Sequence, residues 1–228
     1  MFGASSDIGR AVAGQLAEAG SELVLFGRDV DALEATAELG RAHGVDVGVV
    51  ELDVTAERAA RVMEQTDADR PPDHVVWAAG SFDWAAADVA DVDVWARLVE
   101  VNLTAAMRMT RLVLPRMVTA GSGSLIYIAS LAGLDVFAGN AAYVASKHGL
   151  VAFARAVFLD VRDRGVKVCV VCPGLVDAGA SRVFPAAQRE RFLRPADVAD
   201  AVLYALRTSR DACPTEIRLE PQRDPHQA

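Results

Sequence analysis

The sequence predicts a single-domain α/β protein with a doubly wound parallel sheet, and three observations support this prediction. Short apolar runs alternate with helical patterns along the whole chain, as they do in βαβ units. A glycine-rich turn between Gly3 and Gly9 stands directly before the first helical pattern, where a tight turn and free N–H groups can bind an anion. The length of 228 residues and the hydrophobic content of 52% suit one domain of this class, residues 1–228, with a large core.

The alternation assigns each element in turn. The first helix follows the glycine turn and ends at Gly20, a residue type that commonly terminates helices. Runs of β-branched and apolar residues predict strands at 22–26, 45–52, 74–77, 124–129, 167–171 and 216–219. Apolar residues at helical spacing predict helices at 10–19, 30–43, 94–119 and 195–208, a short helix that ends near Gln65, and a helix that begins near Tyr143.

Charge and hydropathy argue against several classes of protein. The net charge of -8 argues against a nucleic-acid partner, because binding to phosphates needs basic patches. No apolar run approaches the length of about 18 uncharged residues that a membrane span needs, so we predict no membrane segment. The four histidines show no ligand spacing, and we predict no metal site.

The cysteines indicate a reducing compartment. Three cysteines, an odd number, do not form a disulfide framework, and we therefore predict a cytoplasmic protein. Cys169 and Cys172 are separated by two residues within a predicted strand, where residues three apart point to opposite faces. We predict that they are buried thiols rather than a redox pair.

Tyr143 and Lys147 form the most informative pair in the chain. They stand at i and i+4 of a predicted helix, so they share one face and lie about 6 Å apart along its axis. An ammonium beside a phenol favours the phenolate, which predicts that Lys147 lowers the pKa of Tyr143. Ser130 ends the preceding strand, at the edge of the sheet where open α/β folds bind ligands. This arrangement suits general acid–base chemistry on a carbonyl/alcohol pair.

The spacing of Ser130, Tyr143 and Lys147 resembles that of the short-chain dehydrogenase/reductase family, whose hallmark is a serine followed by Tyr-x-x-x-Lys. The resemblance covers nearly the whole chain and implies a Rossmann-like fold and an NAD(P)-dependent oxidoreductase that acts on CH–OH groups. It implies that Ser130 binds the substrate oxygen, Tyr143 transfers the proton, and Lys147 holds the nicotinamide ribose. It also implies that Asn102 bends its helix and holds a water that connects the lysine to solvent.

The glycine turn resembles the family's phosphate-binding loop. The positions that match are Gly3, Ala4, Ser5, Ser6, Ile8 and Gly9. Two positions depart from the pattern, since Phe2 replaces the usual threonine and Asp7 replaces the middle glycine. A carboxylate at Asp7 would repel a pyrophosphate unless it points away from it.

Further matches concern the rest of the cofactor. Arg28 follows the second predicted strand, where an arginine accommodates the 2′-phosphate of NADP, so we predict NADP as cofactor with NAD as the alternative. The resemblance also assigns to cofactor binding the residues Asp53, Val54, Ala79, Gly80, Pro173, Gly174 and Val176, together with Tyr143 and Lys147. Three positions lack the usual side chains, because Trp77, Ala78 and Ala178 cannot form the family's amide and hydroxyl hydrogen bonds.

The predicted activity is hydride transfer between NADP(H) and a small carbonyl or alcohol substrate. The departures at the cofactor turns favour an alternative, a non-catalytic relative that binds a dinucleotide or a partner. A lid is predicted at about 179–193, where Arg182, Arg189 and Arg191 could bind a carboxylate or phosphate. Apolar residues on more than one face of the helices at 94–119 and 141–160 predict a homodimer or homotetramer, as the family commonly forms.

The first strand of the sheet is missing from the sequence as given. In this fold the first strand precedes the glycine turn and lies near the middle of the sheet. Here only Met1 and Phe2 come before Gly3. We expect a gap in the sheet at this place. Either an apolar strand-forming segment precedes Met1, which we favour, or water or another segment fills the gap.

Overall fold

The computed structural model describes residues 1–57, 59–66 and 72–225, and it confirms the predicted α/β class with a parallel sheet. The strands are β1 (Leu23–Gly27), β2 (Val47–Glu51), β3 (His74–Trp77), β4 (Gly123–Ile128), β5 (Val166–Pro173) and β6 (Glu216–Leu219). The helices are α1 (Asp7–Glu18), α2 (Val30–Ala42), α3 (Ala59–Thr66), α4 (Val92–Val99), α5 (Ala105–Ala120), α6 (Ala141–Val161), α7 (Ala186–Arg189) and α8 (Pro195–Arg207). Strand β1 pairs with β2, and β3, β4, β5 and β6 pair in that order, always in parallel.

The two central strands, β4 and β5, are buried on both faces. Leu125 and Tyr127 of β4 belong to one apolar cluster, and Ile126 belongs to the other. Cys169 and Cys172 of β5 divide between the two clusters in the same way and are free thiols. This division confirms that they face opposite sides, and it explains why both strands are continuous apolar runs. Among the described residues, no helix has both the length and the apolar character that a membrane crossing needs.

Phe2 occupies the place of the missing strand as a single-residue bridge. Its N–H donates to the Val76 carbonyl at 2.9 Å, its carbonyl accepts from Ala78, and it forms parallel bridges to Phe26 and Trp77. The buried Phe2 ring stacks on the Phe26 ring at 4.8 Å and lies 4.9 Å from the Trp77 ring. Met1 and Gly3 complete the connection on the β1 side, because the Met1 carbonyl accepts from Phe26 at 2.8 Å and the Gly3 N–H donates to the Phe26 carbonyl at 2.9 Å. The two parts of the sheet are therefore joined near their carboxyl ends, with the Phe2 ring between the other two aromatic rings.

A cleft of about 860 Å³ lies behind Phe2, between β1 and β3. The odd-numbered residues of β1 and β3 bond to the outer neighbouring strands, as Leu23 N–H does to Asp46 and the Asp73 carbonyl does to Ser124. Because backbone groups alternate sides along a strand, the N–H groups of Val24 and Val76 point into the cleft. The structure thus contains the expected gap, and the strand-forming segment upstream of Met1 stays a prediction.

One predicted helix is interrupted. We predicted a continuous helix over 94–119, but the structure has a π-helical turn at Glu100–Thr104 between α4 and α5. The buried side chain of Asn102 lies in this turn. Turns of this kind are frequent at functional sites, and the hydrogen bonds of Asn102 explain the interruption below.

We predict that Phe2→Ala lowers the free energy of unfolding by about 3 kcal/mol, because it removes a fully buried ring and opens a void between two others. The control is Phe137→Ala, which removes a phenylalanine ring that is 46% exposed. Urea unfolding followed by circular dichroism measures both variants. Equal losses in the two variants would show that Phe2 does not join the two parts of the sheet.

Candidate active site

The predicted catalytic residues meet at the carboxyl end of β4 and the start of α6. The Ser130 hydroxyl interacts with the Tyr143 phenol and acts to lower its pKa. The Lys147 ammonium lies 5.6 Å from the centre of the Tyr143 ring and donates to the Ile128 carbonyl at 3.2 Å. Ser130 caps a short 3₁₀ turn, and its hydroxyl accepts from the Ala132 N–H at 3.1 Å. A phenol, a hydroxyl and a buried ammonium therefore share one small region.

The charge states of this region differ from our prediction. Burial raises the pKa of Tyr143, and the interaction with Ser130 opposes that rise without reversing it. The same burial lowers the pKa of Lys147 to about 8. The prediction that Lys147 lowers the pKa of Tyr143 is wrong for this structure, because desolvation of both groups outweighs their proximity.

Asn102 connects the two halves of the site. Its Oδ1 accepts from the Ser81 N–H at 2.8 Å, and its Nδ2 donates to the Ser81 carbonyl at 3.0 Å and to the Ser146 hydroxyl at 3.0 Å. Ser146 in turn donates to the Tyr143 carbonyl at 2.8 Å. These bonds brace the turn after β3, for which Trp77 and Ala78 lack the usual amides.

The glycine turn forms a close cradle. A Cβ on Gly3, whose φ is +75°, would lie 2.5 Å from the Ala79 nitrogen, and a Cβ on Gly9 would lie 2.1 Å from the Gly3 carbonyl oxygen. Ser6 caps α1 by accepting from the Gly9 N–H at 3.0 Å and donates to Gly3 at 2.8 Å. The turn after β3 and the N-terminus of α1 thus come together, and this geometry suits the pyrophosphate of a dinucleotide.

Other predicted cofactor residues extend the cradle along the sheet edge. Ser5 lies beside Gly27, where an added Cβ would come within 2.9 Å of its hydroxyl oxygen, and Ile8 packs against the core. Gly80 faces both Asn102 and Lys147, since a Cβ there would lie 3.3 Å from Asn102 Oδ1 and 3.5 Å from Lys147 Nζ.

The segment that we predicted to contact a 2′-phosphate contains an arginine. Arg28 is exposed, and its charge acts on Asp53. The Thr55 hydroxyl and N–H donate to the Asp53 carboxylate at 2.7 and 2.9 Å and hold its pKa below the usual range, with Arg28 lowering it further. Val54, next in the chain, packs against the core. The carboxylate of Asp53 thereby orders the turn after β2.

The loop after β5 lies at the carboxyl edge of the sheet. β5 ends at Pro173, and the Gly174 N–H donates to the Leu219 carbonyl at 2.8 Å. Val176 is buried and forms a parallel bridge with Leu193 at the base of the lid. The Ser181 hydroxyl, 3.0 Å from both the Ala178 N–H and the Ala178 carbonyl, stabilises the turn where the family's threonine is absent.

Asp7 does not point toward the phosphate cradle. Its carboxylate accepts from the Gly179 N–H at 2.9 Å and pairs with the Arg182 guanidinium, which lies 2.8 Å from both carboxylate oxygens. The charge of Asp7, the residue that departs most from the family pattern, is therefore paired with that of Arg182 in the predicted lid. The condition under which Asp7 is compatible with a pyrophosphate is met.

Comparisons with known proteins agree with this architecture. The family model described as short chain dehydrogenase matches residues 1–188. The chain belongs to the short-chain dehydrogenase family. It is 32% identical over 223 residues to an uncharacterized oxidoreductase of Staphylococcus aureus strain MRSA252, with 96% of this chain and 94% of that protein covered. It is 34% identical over 234 residues to glycine betaine reductase ATRR of Emericella nidulans, where 98% of this chain aligns with only 18% of that protein.

A solved structure gives the same result for the fold. An NAD(P)-dependent gluconate 5-dehydrogenase from Beutenbergia cavernae, so described and crystallised with bound NADP, superimposes with a TM-score of 0.86 and 30% identity, covering 96% of this chain and 92% of that one. Together with the named relatives, this similarity makes the chain an oxidoreductase of the short-chain dehydrogenase family.

Sequence analysis missed several residues of this short-chain dehydrogenase. Ser146 could have been found, because it stands three residues after Tyr143 on the same helix. Ser81 acts through its backbone, which no side-chain pattern reveals. The partnership of Asp7 with Arg182 spans 175 positions, and Phe82, whose ring lies 4.9 Å from the Tyr143 ring, comes from a loop without periodicity.

The buried ammonium predicts a pH-dependent cost in stability. Folding lowers the pKa of Lys147 from 10.5 to about 8, so between these values the unfolded chain binds more protons and stability rises with pH. Below pH 8 the lowered pKa of Lys147 corresponds to a full loss of about 3 kcal/mol in the free energy of unfolding. The hydrogen bond from Lys147 to the Ile128 carbonyl offsets part of this loss. We expect Lys147→Met to raise the free energy of unfolding at pH 7 by about 2 kcal/mol.

This gain should disappear near pH 10, because the wild-type lysine is by then neutral in the folded state. Urea unfolding of wild type and variant at both pH values measures the difference. Lys167→Met serves as the control, since Lys167 is only partly buried and donates to Thr208. A gain of the same size at both pH values would contradict the argument.

Proposed function

We propose that this protein is an NADP(H)-dependent oxidoreductase that interconverts a small carbonyl compound and its alcohol, with Tyr143 as the general acid and base. The observation that supports this most strongly is the buried Lys147 ammonium, held 5.6 Å from the centre of the Tyr143 ring at the end of β4, where Ser130 follows. A phenol beside an ammonium is a suitable proton donor to a carbonyl oxygen during reduction, because the cation stabilises the phenolate that is left.

Each residue has a distinct task in this proposal. Ser130 donates a hydrogen bond to the substrate oxygen and steadies its developing negative charge. Tyr143 gives its proton to the same oxygen. Lys147 places a positive charge where the phenolate forms, so that loss of the proton is less costly than in an apolar site without a cation. Asn102 positions Tyr143 through Ser146 and the turn after β3.

The chain's own residues suit NADP(H). The cradle of Gly3, Ser6 and Gly9 would hold the pyrophosphate, and Arg28 would pair with the 2′-phosphate. Gly174, Val176 and Gly80 would lie along the remaining part of the cofactor. When bound, the nicotinamide supplies or accepts the hydride. Crystallisation of a similar protein with NADP supports this choice.

We also propose a cytoplasmic homo-oligomer. Helix α5 exposes Met107 by 43% and α6 exposes Leu159 by 66%. Together with Val99 of α4, they leave apolar surface on the elements for which we predicted self-association. Free thiols at the three cysteines suit a reducing compartment.

Tyr143→Phe should abolish turnover, because it removes the proton donor and leaves the ring in place. Absorbance of NADPH during reduction of a panel of carbonyl compounds measures activity, and NADPH fluorescence measures cofactor binding, which should change little. Tyr204→Phe, at an exposed tyrosine on α8, is the matched control. A variant that kept more than about a tenth of the wild-type rate, a barrier increase below about 1.4 kcal/mol, would refute the assignment.

Arg28 should decide between the two nicotinamide cofactors. We expect wild type to bind NADPH more tightly than NADH, because only NADPH offers a phosphate to the guanidinium. Arg28→Ala should weaken the binding of NADPH alone and so reduce the difference in affinity between NADPH and NADH. Arg164→Ala, at an exposed arginine between α6 and β5, should leave this difference unchanged. Fluorescence titrations measure the four affinities. Equal affinities of wild type for the two cofactors would rule out the preference.

A further inference from the structure

Two exposed aromatic side chains stand at the entrance to the proposed catalytic site. Phe82 and Trp84, which we call the aromatic wall, are 41% and 63% exposed. The Phe82 ring meets the Tyr143 ring nearly edge to face, with centres 4.9 Å apart and an interplanar angle of 78°. The Trp84 ring lies 6.2 Å from the Phe82 ring. The wall therefore begins at the phenol that is to act on the substrate.

The aromatic wall is held in position from both ends. Phe82 directly follows Ser81, whose N–H and carbonyl are both bonded to Asn102. At the other end, the Ala85 N–H donates to the Gly139 carbonyl at 2.7 Å. Gly139 has a φ of +80°, and a Cβ there would lie 2.6 Å from the indole nitrogen of Trp84. The backbone on both sides of the two rings is thus held by hydrogen bonds, and the Trp84 ring lies against Gly139.

The loop that contributes Gly139 adds further apolar surface. Val136 and Phe137 are exposed on the segment between Ser130 and α6. These two loops therefore combine exposed apolar side chains with the carboxylates Asp83 and Asp135, of which Asp135 pairs with Arg218.

Charges around the site argue against an anionic substrate. The arginines of the lid could bind a carboxylate or phosphate, or could form a solvated helix face; in the structure Arg182 pairs with Asp7 and Arg189 pairs with Asp177 at 2.5 Å. Each guanidinium already has a carboxylate partner within the protein. These carboxylates reduce the positive charge that the two arginines offer to an anion, and a neutral substrate needs no such charge.

We propose that the substrate is an uncharged aryl ketone or aryl aldehyde, and that Phe82 and Trp84 determine this specificity by packing against its ring. This inference rests on the proposed function and names the substrate class for the same site. Aromatic rings favour edge-to-face and offset-stacked partners, and two rings whose flanking backbone is held in place offer such contacts with little loss of side-chain freedom. A substrate ring packed there places the attached carbonyl group next to Tyr143 and Ser130.

Three ketones of similar size test the substrate class. Acetophenone carries the ring, cyclohexyl methyl ketone replaces the ring with a saturated one, and phenylglyoxylate keeps the ring but adds a carboxylate. With NADPH, kcat/KM for acetophenone should exceed that for each of the other two by about tenfold. A preference for phenylglyoxylate that is lost in Arg191→Ala would overturn the proposal and identify an anion site in the lid.

Variants of the aromatic wall test the residues. Trp84→Ala should raise KM for acetophenone about fivefold to tenfold with kcat nearly unchanged, because it removes a binding contact away from the reacting atoms. Phe82→Leu should raise KM for acetophenone more than for cyclohexyl methyl ketone. Tyr204→Ala, which removes an aromatic ring of similar exposure (60%) on α8, should change neither. An unchanged KM for acetophenone in Trp84→Ala would overturn the role of the wall.

A binding measurement separates this inference from the proposed function. Saturation-transfer NMR detects binding of 1-phenylethanol, the alcohol that corresponds to acetophenone, without any turnover. Binding of 1-phenylethanol that is present in wild type and weakened in Trp84→Ala supports the role of the aromatic wall, even if no ketone is reduced. A failure to reduce any ketone would refute only the proposed function. Turnover of other carbonyl compounds without binding of 1-phenylethanol would refute only the aryl substrate.

Discussion

Three hydrogen bonds from the side chain of Asn102 join the turn after β3 to helix α6. The amide is buried, so each bond that is lost leaves a polar group without water, at a cost of about 1–3 kcal/mol. The π-helical turn between α4 and α5 places the amide in this position. Through Ser146 it also reaches the backbone of Tyr143. The Asn102 side chain therefore helps to set the relative positions of the turn after β3, one end of the aromatic wall and the Tyr143 backbone.

Burial of Lys147 lowers the stability of the fold and places a positive charge beside Tyr143. A buried ammonium is costly, and its lowered pKa expresses that cost. The same burial raises the pKa of Tyr143. The two shifts move the pKa values of the phenol and the ammonium apart, so burial favours the neutral phenol. When a substrate oxygen takes the proton, the Lys147 charge makes the phenolate less costly than it would be in an apolar site without a cation.

The sequence predicts those parts of the molecule that local patterns determine. Strands β3 and β6 lie at the predicted residues because short runs of apolar and β-branched side chains mark them clearly. The glycine positions were also predictable, since close backbone contacts at Gly3 and Gly9 exclude any side chain. The positions of Ser130, Tyr143 and Lys147 follow from one strand end and one helix face, which are both local.

Other features depend on contacts between distant residues and could not be predicted. The apolar periodicity continues through 94–119; the family resemblance implies a bend at Asn102, but the π-helical form of the turn is seen only with the contact of Asn102 with Ser81. The spacing of Tyr143 and Lys147 predicts proximity correctly but not the direction of the pKa shift, because that direction depends on burial beneath other elements. Bridging of the sheet by Phe2 likewise requires both Phe26 and Trp77.

The lid combines a firm base with a weakly held tip. At its base, the Asp177 N–H donates to the Leu193 carbonyl at 2.8 Å, and the Leu193 N–H donates to the Leu175 carbonyl at 2.9 Å. At its tip, Arg182 contacts Asp7 at the phosphate cradle, and the guanidinium is largely exposed. Exposed ion pairs contribute only about 0–1 kcal/mol and are screened by salt.

Separation of the tip from the cradle therefore costs little, whereas the base keeps the loop after β5 in register with the sheet. In the family pattern a glycine at position 7 would leave the cradle without this contact. The aspartate removes an electrostatic conflict with phosphate only while Arg182 is paired with it. The guanidinium of Arg182 therefore makes the neighbourhood of the cradle less negative than the Asp7 carboxylate alone would make it.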